Sequence, residues 1–144
     1  MDQGPTTHKF VALMNKKVEP GRIMNAIGHL TAGLVNRATE EQRQAMRFQD
    51  YIDANGGVHP SISDDPFIIL KADNSNKIRT VRNTCIQQGI PFTDFTHTMV
   101  EGTYLDQQNR TKETLEEQLE YFGIVLFGPI EVIRELTGKF SLWT

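Results

Sequence analysis

Short apolar segments alternate with longer segments of helical periodicity along this chain, and this alternation limits the fold more than any other feature of the sequence. The apolar runs at residues 9–15, 67–71 and 121–127 have the length of β-strands, and such runs are typical of strands covered on both faces. Because the segments between them read as helices, the sequence predicts an α/β fold in which helices pack on a sheet.

Local signals mark where these helices begin and end. The main helices are predicted at residues 21–37, 75–88 and 130–136. Pro20 stands at the start of the first helix, where proline is tolerated. Asn74 precedes the second helix as a capping side chain, and Gly89 follows it in the position of a C-terminal cap. A short exposed helix or a turn is predicted at residues 39–47, and a solvated helix at residues 111–119.

The remaining segments complete the predicted sheet. Residues 48–53 alternate apolar and polar side chains, which predicts an edge strand, and residues 59–66 read as a connecting loop. Residues 92–97 form another strand after a helix, and that order implies a right-handed parallel crossover. We therefore expect a three-layer α/β/α sandwich around a small mixed, mostly parallel sheet, in a single domain of residues 1–144.

The composition is that of an ordinary globular chain, with 38% hydrophobic and 23% charged residues and a net charge of -3. This mild acidity disfavours binding that depends on many phosphate contacts. The single cysteine, Cys85, cannot form an intramolecular disulfide and is predicted to be a small buried side chain. The polar residues 1–9 lack the core of a signal peptide, and no apolar run has the length of a membrane span. The sequence therefore predicts a cytoplasmic protein without a membrane partner.

Ordered motifs along most of the chain carry a resemblance to one family. They are a strand that ends near Met14, the helix start Gly21-Arg22-Ile23 with His29, the strand at 67–71, the Gly89-Ile90-Pro91 turn, Glu101-Gly102-Thr103, and the segments 127–130 and 136–142. In this order they resemble the type 2 peptidyl-tRNA hydrolases. Residues 37–65 and 105–120 match least and look like insertions, while residues 48–60 and 140–143 indicate a closer kinship with an uncharacterised offshoot of that family.

The resemblance implies hydrolysis, without a metal or cofactor, of the ester that joins a peptide to tRNA. It assigns substrate binding to Arg22 and Asn25, with Arg22 in place of the family's lysine as a ligand for phosphate or an oxyanion. His29 matches the family's histidine, whereas Ala26 replaces its glutamine.

The other implied catalytic residues follow the strand at 92–97. His97 occupies the position of the family's acidic residue, where a neutral imidazole can act as a base but cannot replace a carboxylate. Thr98 and Thr103 supply the hydroxyl groups that the family uses near its site. The resemblance thus predicts His29, His97, Thr98 and Thr103 as catalytic residues.

Three of these residues can also be explained by an ordinary structural role. His29 fits a partly buried, hydrogen-bonded histidine, His97 a local turn contact, and Arg22 a solvated surface residue. His59 could join the other two histidines, but their spacing does not match that of metal ligands, so we predict no metal site.

Three functions therefore stay open. The first is ester hydrolysis, with tRNA or a small acyl or nucleotide ligand as partner. The second is a non-catalytic module that binds a small ligand or nucleotide on the same fold. The third is a protein-interaction domain that uses the inserted segments. A homodimer is also compatible with a domain of this size.

Overall fold

The computed structural model describes residues 4–144, so residues 1–3 of the predicted domain lie outside the described residues. The strands are β1 (His8–Asn15), β2 (Phe48–Ile52), β3 (Val58–Ser63), β4 (Phe67–Ala72), β5 (Phe92–Thr96), β6 (Tyr121–Pro129) and β7 (Ser141–Leu142). The helices are α1 (Pro20–Arg37), α2 (Glu40–Ala45), α3 (Ser75–Gln88), α4 (Tyr104–Lys112) and α5 (Ile130–Thr137). Two 3-10 turns lie at His97–Met99 and Glu116–Gln118.

The main sheet has five strands in the order β5-β6-β1-β4-β7. β1 pairs in parallel with β4, whereas the β1–β6, β5–β6 and β4–β7 pairs are antiparallel. The prediction of a mostly parallel sheet is therefore wrong. β5 runs in the same direction as β4, but β6 and β1 lie between them. The predicted crossover thus joins two strands that do not pair, because the apolar strand β6 pairs with β5 instead.

Helices lie on both faces of this sheet, as the mixed α/β prediction required. Side chains alternate along β1, so Val11 and Leu13 enter one core while Phe10, Ala12 and Met14 enter the other. The first core packs against α3 and α5, and the second packs against α1. Burial of apolar side chains on both faces is what orders the three layers.

The predicted helix signals act as expected. Asn74 caps α3 by accepting a hydrogen bond from the Lys77 backbone N–H at 3.1 Å. Gly89 ends α3 with a left-handed φ of 69°, a conformation that glycine adopts without a Cβ clash. Along the part of the chain that the structure covers, none of the helices is long and apolar enough to cross a membrane.

Two strands form a hairpin outside the main sheet. β2 lies where a strand was predicted, but it pairs with β3 and is not an edge strand of the sheet. β3 occupies most of a segment predicted to be a loop. Proline is disfavoured inside a sheet, and the structure accommodates Pro60 at a register irregularity between the two strands. At the base of the hairpin, Arg47 Nε donates to Asp64 Oδ1 at 2.7 Å.

The helix predicted at residues 111–119 lies earlier in the chain, at Tyr104–Lys112. α4 begins earlier because Thr103 and Asp106 form a capping box, in which each side chain accepts a hydrogen bond from the other residue's backbone N–H. Residues 116–118 form only a 3-10 turn. The C-terminal strand β7 was not predicted either, since it has two residues and no local pattern.

Candidate functional site

A cleft of about 1100 Å³ lies between α1, the outer side of β5 and α4. We call it the α1–α4 cleft. Apolar side chains and side-chain amides line it together, and the lining residues are Asn25, His29, Leu30, Thr93, Asp94, Phe95, Met99, Val100, Tyr104, Leu105, Gln107, Gln108, Asn109, Thr111 and Lys112. The cleft is larger than a second pocket of about 660 Å³, which Arg37 and Phe92 help to line.

One face of α1 carries three of the predicted site residues, and two of them line this cleft. Arg22, Asn25 and His29 are spaced three and four residues apart, so they share one side of the helix. Asn25 and His29 line the cleft. Arg22 lies one turn earlier, with Nη2 3.7 Å from Glu101 Oε1. Because both side chains of this ion pair are largely exposed, it contributes little to stability.

His29 is exposed and points its ring toward β5. The imidazole centroid lies 6.4 Å from that of Phe95. Within residues 4–144, no hydrogen bond engages either ring nitrogen of His29. The buried, hydrogen-bonded histidine that the sequence offered as an alternative is therefore not what the fold produces, and the ring is free to contact a ligand.

His97 does not line this cleft. It is exposed in the 3-10 turn that follows β5, and its ring Nδ1 accepts a hydrogen bond from the Glu120 backbone N–H at 3.0 Å. Its own backbone N–H donates to the Glu120 carbonyl at 2.9 Å. The predicted local turn contact describes this arrangement, and the structure does not bring His29 and His97 together.

Thr98 lies beneath the cleft in a chain of hydroxyl groups whose direction can be worked out. Each hydroxyl carries one hydrogen. Thr111 Oγ1 donates to the Gln107 carbonyl at 2.8 Å, so it must accept from Thr98 at 2.7 Å. Thr98 therefore accepts from Thr96 at 2.6 Å. Its hydroxyl has no hydrogen left to donate to a substrate.

Thr103 is engaged as well, since it caps the start of α4 with a hydroxyl that accepts from the Asp106 backbone N–H at 3.2 Å. The structure thus gathers Asn25 and His29 in the cleft, places Arg22 near its end, and gives Thr98 and Thr103 structural hydrogen bonds.

Among residues 4–144, no acidic side chain orients His29. Asp94 belongs to the neighbouring strand, but Thr93 and Phe95 face α1, so Asp94 faces α3. There its Oδ2 accepts from Arg82 Nε at 2.9 Å. Burial raises the pKa of the Asp94 carboxyl, and Arg82 partly opposes this effect. The acid–base pair that hydrolysis needs is therefore not assembled around His29 by the residues that the structure covers.

The wall formed by α4 was missed from sequence, because residues 105–120 looked like an insertion and were considered only as a surface for a protein partner. It contributes amides, of which Gln108 donates to the Tyr104 hydroxyl at 2.8 Å and Gln107 donates to the Gly102 carbonyl at 3.3 Å. It also contributes Lys112, which forms no ion pair within residues 4–144. The capping box of Thr103 and Asp106 was the sequence signal that could have predicted where α4 begins, and so this wall of the cleft.

Metal ligands are not gathered at the cleft or elsewhere in the described chain. Across residues 4–144, the structure contains no group of three or more His, Cys, Asp or Glu side chains that could hold a metal ion. His59 pairs with Asp53 at 3.0 Å on the hairpin, away from the other histidines.

The chain was compared with known proteins. A family described as protein of unknown function (DUF2000) matches residues 8–144. No curated protein matches the chain at a significant level. A solved structure of a protein of unknown function from Agrobacterium tumefaciens is similar, with a TM-score of 0.79 and 14% identity, covering 96% of this chain and 98% of that chain. At this identity the likeness shows the fold alone.

Neither match connects the chain with the peptidyl-tRNA hydrolases. The predicted kinship with an uncharacterised family is confirmed. Because the family match covers nearly the whole sequence, the chain belongs to the DUF2000 family of proteins of unknown function.

Proposed function

We propose that the α1–α4 cleft binds a small acyl or nucleotide-bearing ligand without cleaving it. The observation that carries this proposal is the incomplete catalytic set. Asn25 and His29 line the cleft, whereas the ring Nδ1 of His97 is held by the Glu120 backbone and Asp94 is held by Arg82. A ligand can be bound by such a site, but water is not activated in it by a positioned acid–base pair.

The lining suits a ligand with an apolar part and a polar part. Phe95, Met99 and Leu105 offer apolar surface for an acyl chain or a base. Asn25 and Asn109 offer amide donors and acceptors that no side-chain hydrogen bond occupies within residues 4–144. Lys112 adds a positive charge for a phosphate or carboxylate group, and Arg22 lies within one helical turn of the lining.

Thermal-shift measurements with a panel of mononucleotides and acylated amino-acid esters test this proposal. A ligand at one hundred times its Kd stabilises the folded state by about 2.7 kcal/mol. We expect at least one ligand to raise the Tm and to be recovered unchanged. Asn25→Ala and His29→Ala should each reduce that shift, whereas Asn36→Ala, on the same helix outside the lining, should not.

Two outcomes contradict the proposal. One is that no compound in the panel changes the Tm. The other is that a stabilising compound keeps its full effect in both cleft variants, which would place its binding site elsewhere.

Ester hydrolysis is a second candidate, favoured by the exposed imidazole of His29 and by Arg22 on the same helix face. In this alternative, which follows the resemblance, His29 acts as the base toward water and Arg22 binds a phosphate or the oxyanion of peptidyl-tRNA. The reaction then takes place in the cytoplasm. Incubating the pure chain with peptidyl-tRNA over a wide range of protein concentrations tests it. Cleavage no faster than in buffer rejects hydrolysis and leaves binding in place.

A further inference from the structure

β5 is an edge strand of the main sheet, because β6 pairs with it on one side and no strand within residues 4–144 pairs with it on the other. The side chains of Phe92, Thr93, Asp94 and Phe95 are all partly exposed. An edge strand with free backbone groups is a template on which another extended chain can pair.

The register shows which backbone groups of β5 are free. The Phe127 N–H donates to the Pro91 carbonyl at 3.3 Å, so these two residues form a hydrogen-bonded pair. Hydrogen bonding alternates along antiparallel strands. Thr93 therefore bonds toward β6, and the N–H and C=O groups of Phe92 and Asp94 point outward. No partner for these outward groups lies within residues 4–144.

Two pockets lie beside the unpaired edge of β5. A hollow of about 660 Å³ lies beside the start of β5, between the ends of α1 and α3, and Arg37, Pro91 and Phe92 are among the residues that line it. Thr93 and Asp94 line both this hollow and the α1–α4 cleft. The two spaces therefore adjoin along the strand, and we call them together the β5 groove.

The charges that line the β5 groove are mostly positive. Arg37 lies in the first hollow and Lys112 in the cleft, and neither forms an ion pair within residues 4–144. The acidic side chain in the lining, Asp94, already pairs with Arg82. The unpaired charges favour an acidic partner over a basic one.

We propose that the β5 groove binds an extended, acidic peptide segment of another protein, which adds to the sheet as a strand beside β5. The backbone of the peptide bonds to Phe92 and Asp94, and its acidic side chains lie near Arg37 and Lys112. This function goes beyond the small-ligand site, because the first hollow and Arg37 lie outside the α1–α4 cleft.

The probe is a phage-displayed library of random dodecapeptides, selected on the immobilised full chain. We expect the recovered peptides to be enriched in Asp and Glu relative to the starting library. Arg37→Glu should weaken the binding of the best synthetic peptide about fivefold, since it reverses one exposed charge. Arg134→Glu makes the same change on α5, outside the groove, and should leave binding unaltered.

Amide hydrogen exchange by NMR then locates the peptide. At saturation, exchange at Phe92 and Asp94 should slow about tenfold, whereas Thr93 and Phe95 should change little because β6 already protects them. The proposal is overturned if no peptide is enriched, if basic peptides are enriched, or if protection appears at another strand. Pairing of β5 with a second copy, seen as a dimer that the peptide does not dissociate, overturns it as well.

The cleft variants separate this proposal from the previous one. Asn25→Ala and His29→Ala should reduce small-ligand binding much more than peptide binding, because the peptide is held mainly by the backbone of β5 and by Arg37 in the first hollow. If both variants abolish peptide binding while Arg37→Glu does not, the peptide occupies the cleft alone and the β5 groove is refuted.

Discussion

Replacing Asp65 with Asn is expected to stabilise the protein near neutral pH, whereas the same substitution at the adjacent Asp64 is expected to destabilise it. The two carboxylates lie beside Arg47 at the base of the hairpin, but they are bound differently. Asp64 accepts from Arg47 Nε at 2.7 Å and from Nη2 at 3.2 Å. Asp65 is 1% exposed and lies 3.7 Å from Nε, which is too far for a hydrogen bond.

Asp65 is thus a buried carboxylate that the guanidinium attracts but does not bond. Neither of its carboxylate oxygens has a hydrogen-bond donor within residues 4–144. Burial raises the pKa of the Asp65 carboxyl; Arg47 and His8 oppose this rise, and Asp64 adds to it.

The magnitude follows from the cost of an unsatisfied buried polar group, about 1–3 kcal/mol and more when the group is charged. Asn removes the charge and keeps the shape, so we expect a gain of about 1–2 kcal/mol at about pH 8. For a chain of this size that gain corresponds to a Tm increase of about 3–7 °C. Asp64→Asn weakens a charged, two-point hydrogen bond and should lower stability by about 1–3 kcal/mol.

The effect of Asp65→Asn should depend on pH. Since the pKa of Asp65 is raised on folding, its contribution to stability is fully present below the unfolded value of about 4 and is lost as pH rises through the folded value. The Asn variant lacks this titration. The difference in free energy of unfolding between the Asn variant and the wild type should therefore be largest at about pH 8 and disappear at about pH 4.

Urea denaturation of the wild type and both variants at several pH values measures these differences. The reasoning is refuted if Asp65→Asn destabilises the protein at the higher pH, or if its gain is the same at every pH. It is also refuted if Asp64→Asn is as stable as the wild type, because the two carboxylates would then be equivalent.

Three further predictions concern features described above. Thr98→Val should lower the free energy of unfolding, measured by urea denaturation, by about 1–3 kcal/mol, because it leaves the Thr96 donor and the Thr111 acceptor unpaired. The same variant should not change ligand-induced Tm shifts. A loss of those shifts without a loss of stability would contradict the structural role. Gly89→Ala should cost about 1 kcal/mol, since a Cβ is unfavourable at a left-handed φ, and an unchanged denaturation midpoint would count against it. Burial raises the pKa of the Cys85 thiol to about 11, so a thiol-specific reagent should label it only after unfolding. Rapid labelling of the folded chain would show that the site is open.

Local signals in the sequence were sufficient for α1, α3 and α5. Asn74 and Gly89 act on neighbouring backbone groups, and Pro20 begins α1 as expected, so the ends of these helices could be placed without knowledge of the fold. Strand direction depends on distant partners. The apolar run of β6 reads the same in either direction, and its position between β5 and β1 is set by packing on both faces, which no local pattern records.

In the candidate site, too, local patterns placed some residues correctly and could not place those whose positions depend on the fold. Helical spacing placed Asn25 and His29 on one face of α1, and both line the cleft. His97 was assigned by its position along an aligned strand, but β5 ends at Thr96 and the chain enters a 3-10 turn that directs the His97 ring toward Glu120. The α4 wall was missed because amide side chains carry no spacing signal, although they line the cleft.

The weak attachment of α4 has a consequence for the cleft that it borders. This helix buries none of its residues. It is tied to the 3-10 turn after β5 by the hydroxyl of Thr111 and by Arg110, which donates to the carbonyls of Thr98 and Glu101. Segments with few buried contacts open locally at a free energy far below that of global unfolding. We therefore expect this wall of the cleft to open and close while the sheet stays folded. A ligand that bridges α1 and α4 must supply the free energy that closes this wall, so its apparent affinity includes the closing equilibrium.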